Sequence, residues 1–472
     1  NTMADHLKFA EIYKRFHLPD DAGLRREIAG MLISNRMKMV ILDDDPTGIQ
    51  TVHGCLLLTQ WDDETLRMAF EDKVPFFYIL TNSRSMDSAK AESVCREVTE
   101  SVVRLNRAYG FQLVLISRSD STLRGHFPHE TDTIKDVLSA HNITSDFPVL
   151  FIPAFFEAGR YTLNNIHYMR NGGELIPVGE TEFARDHVFG YHSSDLVKYI
   201  IEKSDSRITR NAIGSISMAD IRDSEICEII RIFEDLKKKA FVIVNAFSYY
   251  DLQKTSLALL TLSLKNREPL VLRTSSSMPK AISGLKNVPF LIKKDLIKIN
   301  RPGFFIIGSH VQKTTGQIDM LLKSGEVKGI EVDVNRLPEI QGEMLIKTLE
   351  SVRACLEQGL TPVVYTSRRE VRTEDKSERL NLGKKTSSFL VEIIKKLPAR
   401  PSYILAKGGI TAHDILTNGL ELQSARVAGQ IMAGVPVVVT GSNHKYPSMP
   451  YIIFPGNVGD ENALVTIFNM LN

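Results

Sequence analysis

Three consecutive carboxylates, Asp43, Asp44 and Asp45, follow an apolar run at residues 40–42 and precede Pro46 and Gly48. Adjacent carboxylates repel one another, so such a cluster is costly unless it meets a base, a metal or a proton. A buried strand that ends in polar residues is typical of open α/β sheets, where ligands lie beyond the carboxyl ends of the strands. The plainer alternative is a solvated acidic turn that caps a helix.

Three further apolar runs in the first half, at residues 76–80, 113–116 and 149–152, also end in polar clusters. Four such endings favour one shared crevice. Arginine presents a rigid fork of donors to a carboxylate or phosphate, whereas aspartate accepts from hydroxyls, so we expect an anionic, hydroxyl-bearing ligand. The alternative is that these arginines and aspartates only neutralise each other. The clusters contain Asn82, Ser83, Arg84, Arg118, Asp120, Ser121, Arg124 and Arg160.

A second kind of strand ending occurs in the other half of the chain. The segment Gly408, Gly409, Ile410 and Thr411 follows an apolar run and is expected to open a helix, which would make it a phosphate cradle. Two other runs end in small residues, at 308–309 and 456–457. There is no Walker A motif and no G-x-G-x-x-G motif, which argues against P-loop enzymes and Rossmann dehydrogenases.

Composition narrows the class of protein. The chain has 472 residues, 43% of them hydrophobic and 24% charged, with a formal net charge of +2. This balance gives no case for nucleic acid or an acidic membrane as partner, and no apolar run reaches the length of a membrane span. The four cysteines are dispersed without a CxxC pair, and no signal-peptide core is visible at the N-terminus. We therefore expect a cytoplasmic protein that binds small molecules.

The alternation of strand and helix patterns predicts two α/β domains with largely parallel sheets and an active site in the cleft between them. Residues 1–37 have a helical period and are expected to form a helical N-terminal extension that packs on a domain or on a second subunit, which makes a homodimer one expectation. The turn-forming residues at 300–303 place the predicted domain boundary between residues 300 and 301.

The motifs together resemble those of the four-carbon acid sugar kinase family, over residues 38–470 and in chain order. The first-half motifs are Asp44-Asp45-Pro46-Thr47-Gly48, Thr81-Asn82-Ser83-Arg84 and Asp120-Ser121-Thr122-Leu123-Arg124-Gly125. The resemblance implies a sugar-acid-binding domain at 38–300 and a nucleotide-binding domain at 301–472. It implies a kinase that uses ATP and Mg²⁺ to phosphorylate a hydroxyl of a threonate, erythronate or 3-oxo-tetronate type of acid.

Carried over to this sequence, the resemblance places the acid on first-half residues and ATP on second-half ones. A carboxylate must orient or deprotonate the attacking hydroxyl, and either Asp45 or Asp120 could do so. Arg84 or Arg124 would hold the substrate carboxylate, and the metal ligands are not indicated. The implied acid pocket comprises Asp44, Asp45, Thr47, Arg84, Asp120, Ser121 and Arg124. The implied ATP site comprises Ser309, Gly408, Gly409, Ile410, Thr411 and Gly456.

Two alternatives stay open. The spacing Asp43-x-Asp45-x-Thr47 after a hydrophobic strand also fits a haloacid-dehalogenase-like phosphatase, with Asp43 as nucleophile and Asp45 as the acid and base. That reading lacks a late acidic pair and leaves the Gly408 segment without a role. The other alternative is a non-catalytic sensor of sugar acids that keeps the arginines.

Overall fold

A computed structural model describes residues 5–368 and 376–472. The chain forms two compact units, Asn1–Asn287 and Val288–Asn472. The boundary expected at 300/301 falls inside the second unit, because Leu296 packs in that unit's core and the Leu291 amide donates to the Gln430 carbonyl at 2.8 Å. Within the described residues, no helix combines the length and apolar character needed to cross a membrane.

The first unit is built on a parallel sheet whose strands run through the core as nearly continuous apolar segments. Its strands are β1 Leu7–Lys8, β2 Met37–Asp43, β3 Leu56–Leu58, β4 Phe76–Leu80, β5 Gln112–Arg118, β6 Val149–Ile152, β7 Arg160–Leu163, β8 Ile166–Asn171, β9 Glu174–Pro177, β10 Ile213–Ile216, β11 Phe241–Val244 and β12 Leu270–Thr274. Its helices are α1 Phe9–Phe16, α2 Ala22–Ser34, α3 Asp63–Glu71, α4 Ser88–Tyr109, α5 His129–Ala140, α6 Leu196–Lys203, α7 Met218–Asp223, α8 Ile226–Asp235, α9 Tyr249–Asn266 and α10 Ser277–Ile282.

The strand order of the parallel sheet is β10-β11-β6-β12-β5-β2-β4-β3. From β2 the chain forms β3 and β4 on one side and then crosses to β5 on the other side of β2. The strand order therefore reverses at β2, and such a switch point opens a crevice at the carboxyl ends of the strands. The carboxylate triplet follows β2 at this point.

A second, antiparallel sheet in the first unit has the order β1-β9-β8-β7. Its core includes Tyr161, Tyr168 and Phe247, and apolar side chains of the N-terminal segment pack against that core. Among them are Leu7 from β1 and Phe16 from α1. The described part of the N-terminal segment thus packs on its own unit, as a short strand and two helices.

The second unit has the strand order β17-β18-β19-β16-β13-β15-β14, parallel from β19 to β14 and antiparallel at β17 and β18. The order reverses at β13, so the loops after β13 and β16 lie at its switch point. The strands are β13 Phe304–Ile307, β14 Val327–Val332, β15 Thr361–Thr366, β16 Ile404–Lys407, β17 Ser424–Met432, β18 Val435–Thr440 and β19 Pro450–Phe454. The helices are α11 Lys293–Leu296, α12 Gln312–Leu322, α13 Leu337–Glu357, α14 Lys376–Lys395, α15 Gly409–Asp414 and α16 Ala463–Leu471.

Candidate active site

The first carboxylate of the triplet is part of the core. Asp43 ends β2 in register with Arg118 at the end of β5, and the Arg118 Nη1 donates to Asp43 Oδ1 at 3.0 Å. The Arg118 Nη2 donates to Ser276 Oγ at 2.9 Å. Asp43 is 0% exposed, and burial raises the pKa of its carboxyl to about 7 against the attraction of Arg118. A Cβ on Gly48 would overlap the Asp43 carboxylate, so this turn needs glycine.

The second and third carboxylates share one guanidinium. The Arg84 Nε and Nη2 donate to the two oxygens of Asp44 at 3.1 and 2.5 Å, and the Arg84 Nη1 reaches Asp45 Oδ2 at 3.3 Å. The Ser119 Oγ donates to Asp44 Oδ2 at 2.5 Å. Bidentate arginine–carboxylate pairs are strong and geometrically specific. Asp44 is therefore occupied with holding Arg84, which is bound at a fixed angle beyond the end of β4.

Asp45 is more accessible, with 22% of its side chain exposed. Its Oδ1 accepts from the Thr47 amide at 2.8 Å and from the Thr47 hydroxyl. Burial acts to raise the pKa of Asp45, but Arg84 and the Thr47 hydrogen bonds outweigh it and leave that pKa below its ordinary value. Asp45 is thus ionised at neutral pH, with both oxygens in contact with donors.

Asp120 lies in the loop after β5 with 14% of its side chain exposed. Its Oδ2 accepts from Arg124 Nε at 2.7 Å and from the Thr122 hydroxyl. Burial opposes ionisation, but Arg84 and Arg124 hold the pKa of Asp120 well below its usual range. Within the described residues no donor contacts Asp120 Oδ1, which leaves one charged oxygen for a ligand.

Two further arginines lie by this loop. The Arg124 guanidinium packs over the Phe183 ring at 4.8 Å and lies 3.7 Å from Asp186 Oδ2. Arg160, at the start of β7, donates from Nη1 to the Ala158 carbonyl, and its buried Nε has no acceptor in the described part of the chain. Burial lowers the pKa of Arg160, while the charge of Asp120 acts in the opposite direction. An anion beside Asp120 would meet donors from both arginines.

Sequence reasoning missed a buried polar group behind these residues. Glu130 of α5 accepts from Ser83 Oγ at 2.7 Å, from Ser117 Oγ at 3.0 Å and from Arg273 Nη1 at 2.5 Å. All four side chains are buried, and they join the ends of β4, β5 and β12 to α5. Glu130 and Arg273 are single charged residues far apart in the chain, so no local motif marks them.

The predicted substrate residues therefore separate into two groups. Arg118 and Ser83 are buried and bind other protein side chains, and the Asn82 amide donates to Ser85 Oγ at 3.0 Å within its own turn. These residues support the site from behind. Asn82 is partly exposed but is bound within its turn, and the other residues that the structure leaves partly open at the strand ends are Asp45, Thr47, Arg84, Asp120, Arg124 and Arg160.

In the second unit, three strand-end loops pack closely on one another. Ser309 follows β13, and its Oγ lies 2.9 Å from Thr314 Oγ1. A Cβ on Gly408 (φ +113°) would lie 3.3 Å from the Ser309 nitrogen, and one on Gly456 would lie 3.3 Å from Ser309 Oγ. Glycine thus allows the loops after β16 and β19 to approach Ser309, which leaves a backbone-lined surface suited to phosphate.

Two cations missed by sequence reasoning adjoin these loops. The Lys407 Nζ donates to the carbonyls of Pro455 and Gly456 at 3.0 and 3.2 Å. Burial, together with Lys313 and Arg368, lowers the pKa of Lys407 to about 7. The Arg368 Nη1 donates to the Ser309 carbonyl at 2.6 Å.

The remaining predicted nucleotide residues open α15. Gly409 and Thr411 lie in its first turn, and a Cβ on Gly308 would overlap Thr411 Oγ1. Ile410 is 68% exposed, so any part it has in a phosphate site is through its backbone. No group of three or more His, Cys, Asp or Glu side chains arranged to hold a metal ion occurs among residues 5–368 and 376–472.

Comparison with known protein families also gives the two halves of the chain different roles. Residues 39–282 match the family described as a sugar-binding N-terminal domain, and residues 304–464 match a nucleotide-binding C-terminal domain. No curated protein matches the sequence. A DUF1537 protein of Haemophilus influenzae is 16% identical, with a TM-score of 0.65 over 92% of this chain and 100% of its own.

A protein of Salmonella typhimurium LT2, described as a candidate tRNA synthase, is 17% identical, with a TM-score of 0.66 over 91% of this chain and 98% of its own. At these identities the two structures establish a shared two-domain α/β fold. The first domain match alone covers more than half of the sequence, and the second follows it in order. The chain therefore belongs to the four-carbon acid sugar kinase family.

Proposed function

We propose that the protein is an ATP-dependent kinase that phosphorylates a hydroxyl of a four-carbon sugar acid of the threonate, erythronate or 3-oxo-tetronate type. The observation that carries this proposal is the strand-end cluster of Asp45, Asp120, Arg84 and Arg124, which combines ionised acceptors for hydroxyls with guanidinium donors for a carboxylate. A kinase also needs a site for ATP, and the match to a nucleotide-binding domain supports one in the second half of the chain.

The acid end of the substrate is assigned to Arg124, with Arg160 beside it. Arg124 uses its Nε on Asp120, and its Nη1 lies 3.7 Å from Asp186 Oδ2, so its Nη2 remains for a ligand carboxylate. Arg160 as a whole is partly exposed, and its charge would add to the attraction of the acid. Arg84 is committed to Asp44 and Asp45 and serves mainly to fix those carboxylates.

Asp120 is the better candidate to orient the attacking hydroxyl. Its Oδ1 has no donor from the described residues, whereas both oxygens of Asp45 already have donors. The lowered pKa of Asp120 makes it a weak base but a permanent acceptor. Positioning and charge stabilisation account for most of the catalysis in phosphoryl transfer, so a fixed acceptor is sufficient for this role.

ATP is assigned to the loops around Ser309, Gly408 and Gly456, where backbone amides would contact the phosphates and the buried Lys407 would hold the loop after β19. Mg²⁺ would neutralise the charge on the transferred phosphoryl group. The described residues contain no preassembled metal cluster, and the strand-end carboxylates of the first unit are paired with arginines. Mg²⁺ is therefore expected to arrive bound to the ATP phosphates.

The phosphatase alternative requires Asp43 to attack a phosphoryl group. Asp43 is fully buried, and its Oδ1 is bound to Arg118 while Gly48 packs over the carboxylate. A nucleophile in this position cannot be reached without unfolding of the turn. This burial favours the kinase. Only a measurement of turnover distinguishes the kinase from the sensor alternative.

The test is a coupled ADP-release assay with Mg-ATP against a panel of four-carbon sugar acids. Release that depends on one acid supports the kinase and identifies its substrate. Release of phosphate from phosphorylated acids, without ADP formation, supports the phosphatase. Binding of an acid by calorimetry without turnover of any acid supports the sensor.

A matched pair of variants tests the assignment of Asp120. Asp120→Asn removes the free charged oxygen and is expected to lower kcat by about 10²-fold, the cost of losing a positioning group, with the fold retained. Asp45→Asn removes a carboxylate whose oxygens are already paired and is expected to lower kcat less. A larger loss in Asp45→Asn than in Asp120→Asn would reverse the assignment.

A further inference from the structure

Three successive backbone carbonyls in the loop between β5 and α5 each accept a hydrogen bond from a side chain. This loop carries Asp120 and Arg124. The bonds run from His167 Nε2 to the Ser121 carbonyl at 2.8 Å, from the Tyr191 hydroxyl to the Thr122 carbonyl at 2.8 Å, and from the Tyr199 hydroxyl to the Leu123 carbonyl at 2.7 Å.

All three donors come from outside the parallel sheet. His167 lies on β8, Tyr191 lies ahead of α6, and Tyr199 lies on α6. All three side chains are buried. Because a carbonyl only accepts, His167 Nε2 must carry a proton, and its Nδ1 can then accept from the Thr162 hydroxyl at 3.0 Å. Burial lowers the pKa of His167 to about 4, so the ring stays neutral.

Because peptide units are planar, these carbonyl hydrogen bonds also fix the direction of the neighbouring N–H groups. In a trans peptide the N–H of one residue points opposite to the carbonyl of the residue before it. The N–H groups of Thr122, Leu123 and Arg124 therefore point away from His167 and the two tyrosines. The Leu123 N–H donates to the Asp120 carbonyl at 3.1 Å. The N–H groups of Thr122 and Arg124 have no acceptor among the described residues.

The unpaired N–H groups of Thr122 and Arg124 need a hydrogen-bond acceptor. Thr122 is buried and Arg124 partly so, and buried N–H groups are nearly always paired. Two unpaired N–H donors in the same loop as the Arg124 guanidinium suit an anionic oxygen group. The attachment of the three carbonyls fixes the direction in which each of these amides points.

We propose that His167, Tyr191 and Tyr199 are positioning residues that hold the loop from Asp120 to Arg124 as a preformed cradle for the carboxylate of the substrate. The identity of the bound anion rests on the proposed function, whereas the attachment of the loop does not. The three side chains act through the backbone and do not touch the reacting atoms.

The test compares Tyr199→Phe and Tyr191→Phe with the matched variant Tyr451→Phe. The Tyr451 hydroxyl is also buried and also donates to a backbone carbonyl, that of Ala412 at 2.6 Å, but in the second unit. Each change keeps the ring and removes one hydroxyl, so the packing is preserved. Hydrogen–deuterium exchange of the peptide that contains residues 120–125 is measured without ligand, with the Leu123 amide as reporter.

Both first-unit variants are expected to speed exchange in this peptide by about three- to tenfold, the effect of losing one hydrogen bond. Tyr451→Phe is expected to leave it unchanged. Steady-state kinetics then provide the second readout. The KM for the sugar acid is expected to rise by a similar factor in Tyr199→Phe and Tyr191→Phe, while the KM for ATP is unchanged.

Unchanged exchange at 120–125 in both first-unit variants would overturn the proposal, whatever the enzyme's substrate. Faster exchange with an unchanged KM for the acid would show that the loop is held but that it is not the cradle. Faster exchange in a protein that turns over no sugar acid would retain the attachment and reject the kinase. An equal rise of the KM for ATP would indicate general loosening and also count against the cradle.

Discussion

Replacement of Gly125 by alanine tests whether close backbone approach sets the geometry of the acid site. Gly125 has φ +140°, and a Cβ there would lie 2.7 Å from Arg273 Nη2, 3.4 Å from Asp44 Oδ2 and closer still to Ser119 Oγ. Ser119 would have to move, which breaks its 2.5 Å hydrogen bond to Asp44. Adding the backbone strain to the loss of that charge-assisted bond gives a destabilisation of about 3–6 kcal/mol.

Gly110→Ala is the matched control. Gly110 also has a positive φ, +66°, at the end of α4, but a Cβ there meets nothing within 4 Å. Only the backbone term of about 1–2 kcal/mol is expected for it. Urea unfolding followed by the fluorescence of Trp61 reports on the first unit alone, because Trp61 is the one tryptophan in the sequence.

The two variants should also differ in function. Movement of Ser119 frees the Asp44 carboxylate that holds Arg84, so Gly125→Ala is expected to raise the KM for the sugar acid, while Gly110→Ala leaves it unchanged. Equal unfolding free energies in Gly125→Ala and Gly110→Ala, together with an unchanged KM, would refute the claim that the packing of Gly125 on Ser119 shapes the site.

Three further outcomes follow from the structure. The pKa of Asp43 is raised from 3.8 to about 7 in the folded protein, so the folded state binds more protons in that window and the free energy of unfolding should fall as pH rises from about 4 to 7. Asp43→Asn should abolish much of that fall in urea titrations at several pH values. The pKa of Lys407 is lowered to about 7, so the unfolded state binds more protons above pH 7, and stability should rise from about pH 7 to 10 in the wild type but less in Lys407→Met. Gly308→Ala should displace Thr411 and raise the KM for ATP without a change in the KM for the acid, as measured by ADP release.

Buried parallel strands could be predicted well from the sequence. The predicted runs at 76–80 and 149–152 coincide with β4 and β6, and the runs at 40–42 and 113–116 lie within β2 and β5. Parallel strands covered on both faces are continuous apolar segments, and they are visible without knowledge of the fold. The same property located the strand ends, and with them the carboxylates and arginines.

Half-buried elements were harder to predict. β17 alternates between buried and partly exposed positions and contains a register shift between Val427 and Gly429, which obscures the period of two. The antiparallel strands β7 to β9 are short and lie between residues 160 and 177, where the sequence pattern is weak. These strands owe their position to tertiary contacts, such as the pairing of Thr162 with Ala246.

The different environments of the three adjacent carboxylates could not be predicted either. Asp43, Asp44 and Asp45 are adjacent and chemically identical in sequence, yet the first is buried against Arg118, the second is held by Arg84 and Ser119, and the third is partly exposed. Such differences arise because a strand turns successive side chains in opposite directions and the turn after it changes the pattern. The partners of each carboxylate come from distant strands.

The position of β12 has a consequence for synthesis of the chain. β12 is the last strand of the first unit to emerge, yet it lies between β5 and β6 in the sheet. A nascent chain that ends before residue 270 holds two separate blocks, β10-β11-β6 and β5-β2-β4-β3, each with an open edge where β12 belongs. Ser276, which binds Arg118, arrives only after β12. The whole first unit must therefore emerge from the ribosome before β12 can pair with both blocks. A chain interrupted earlier would expose two unpaired strand edges that favour aggregation.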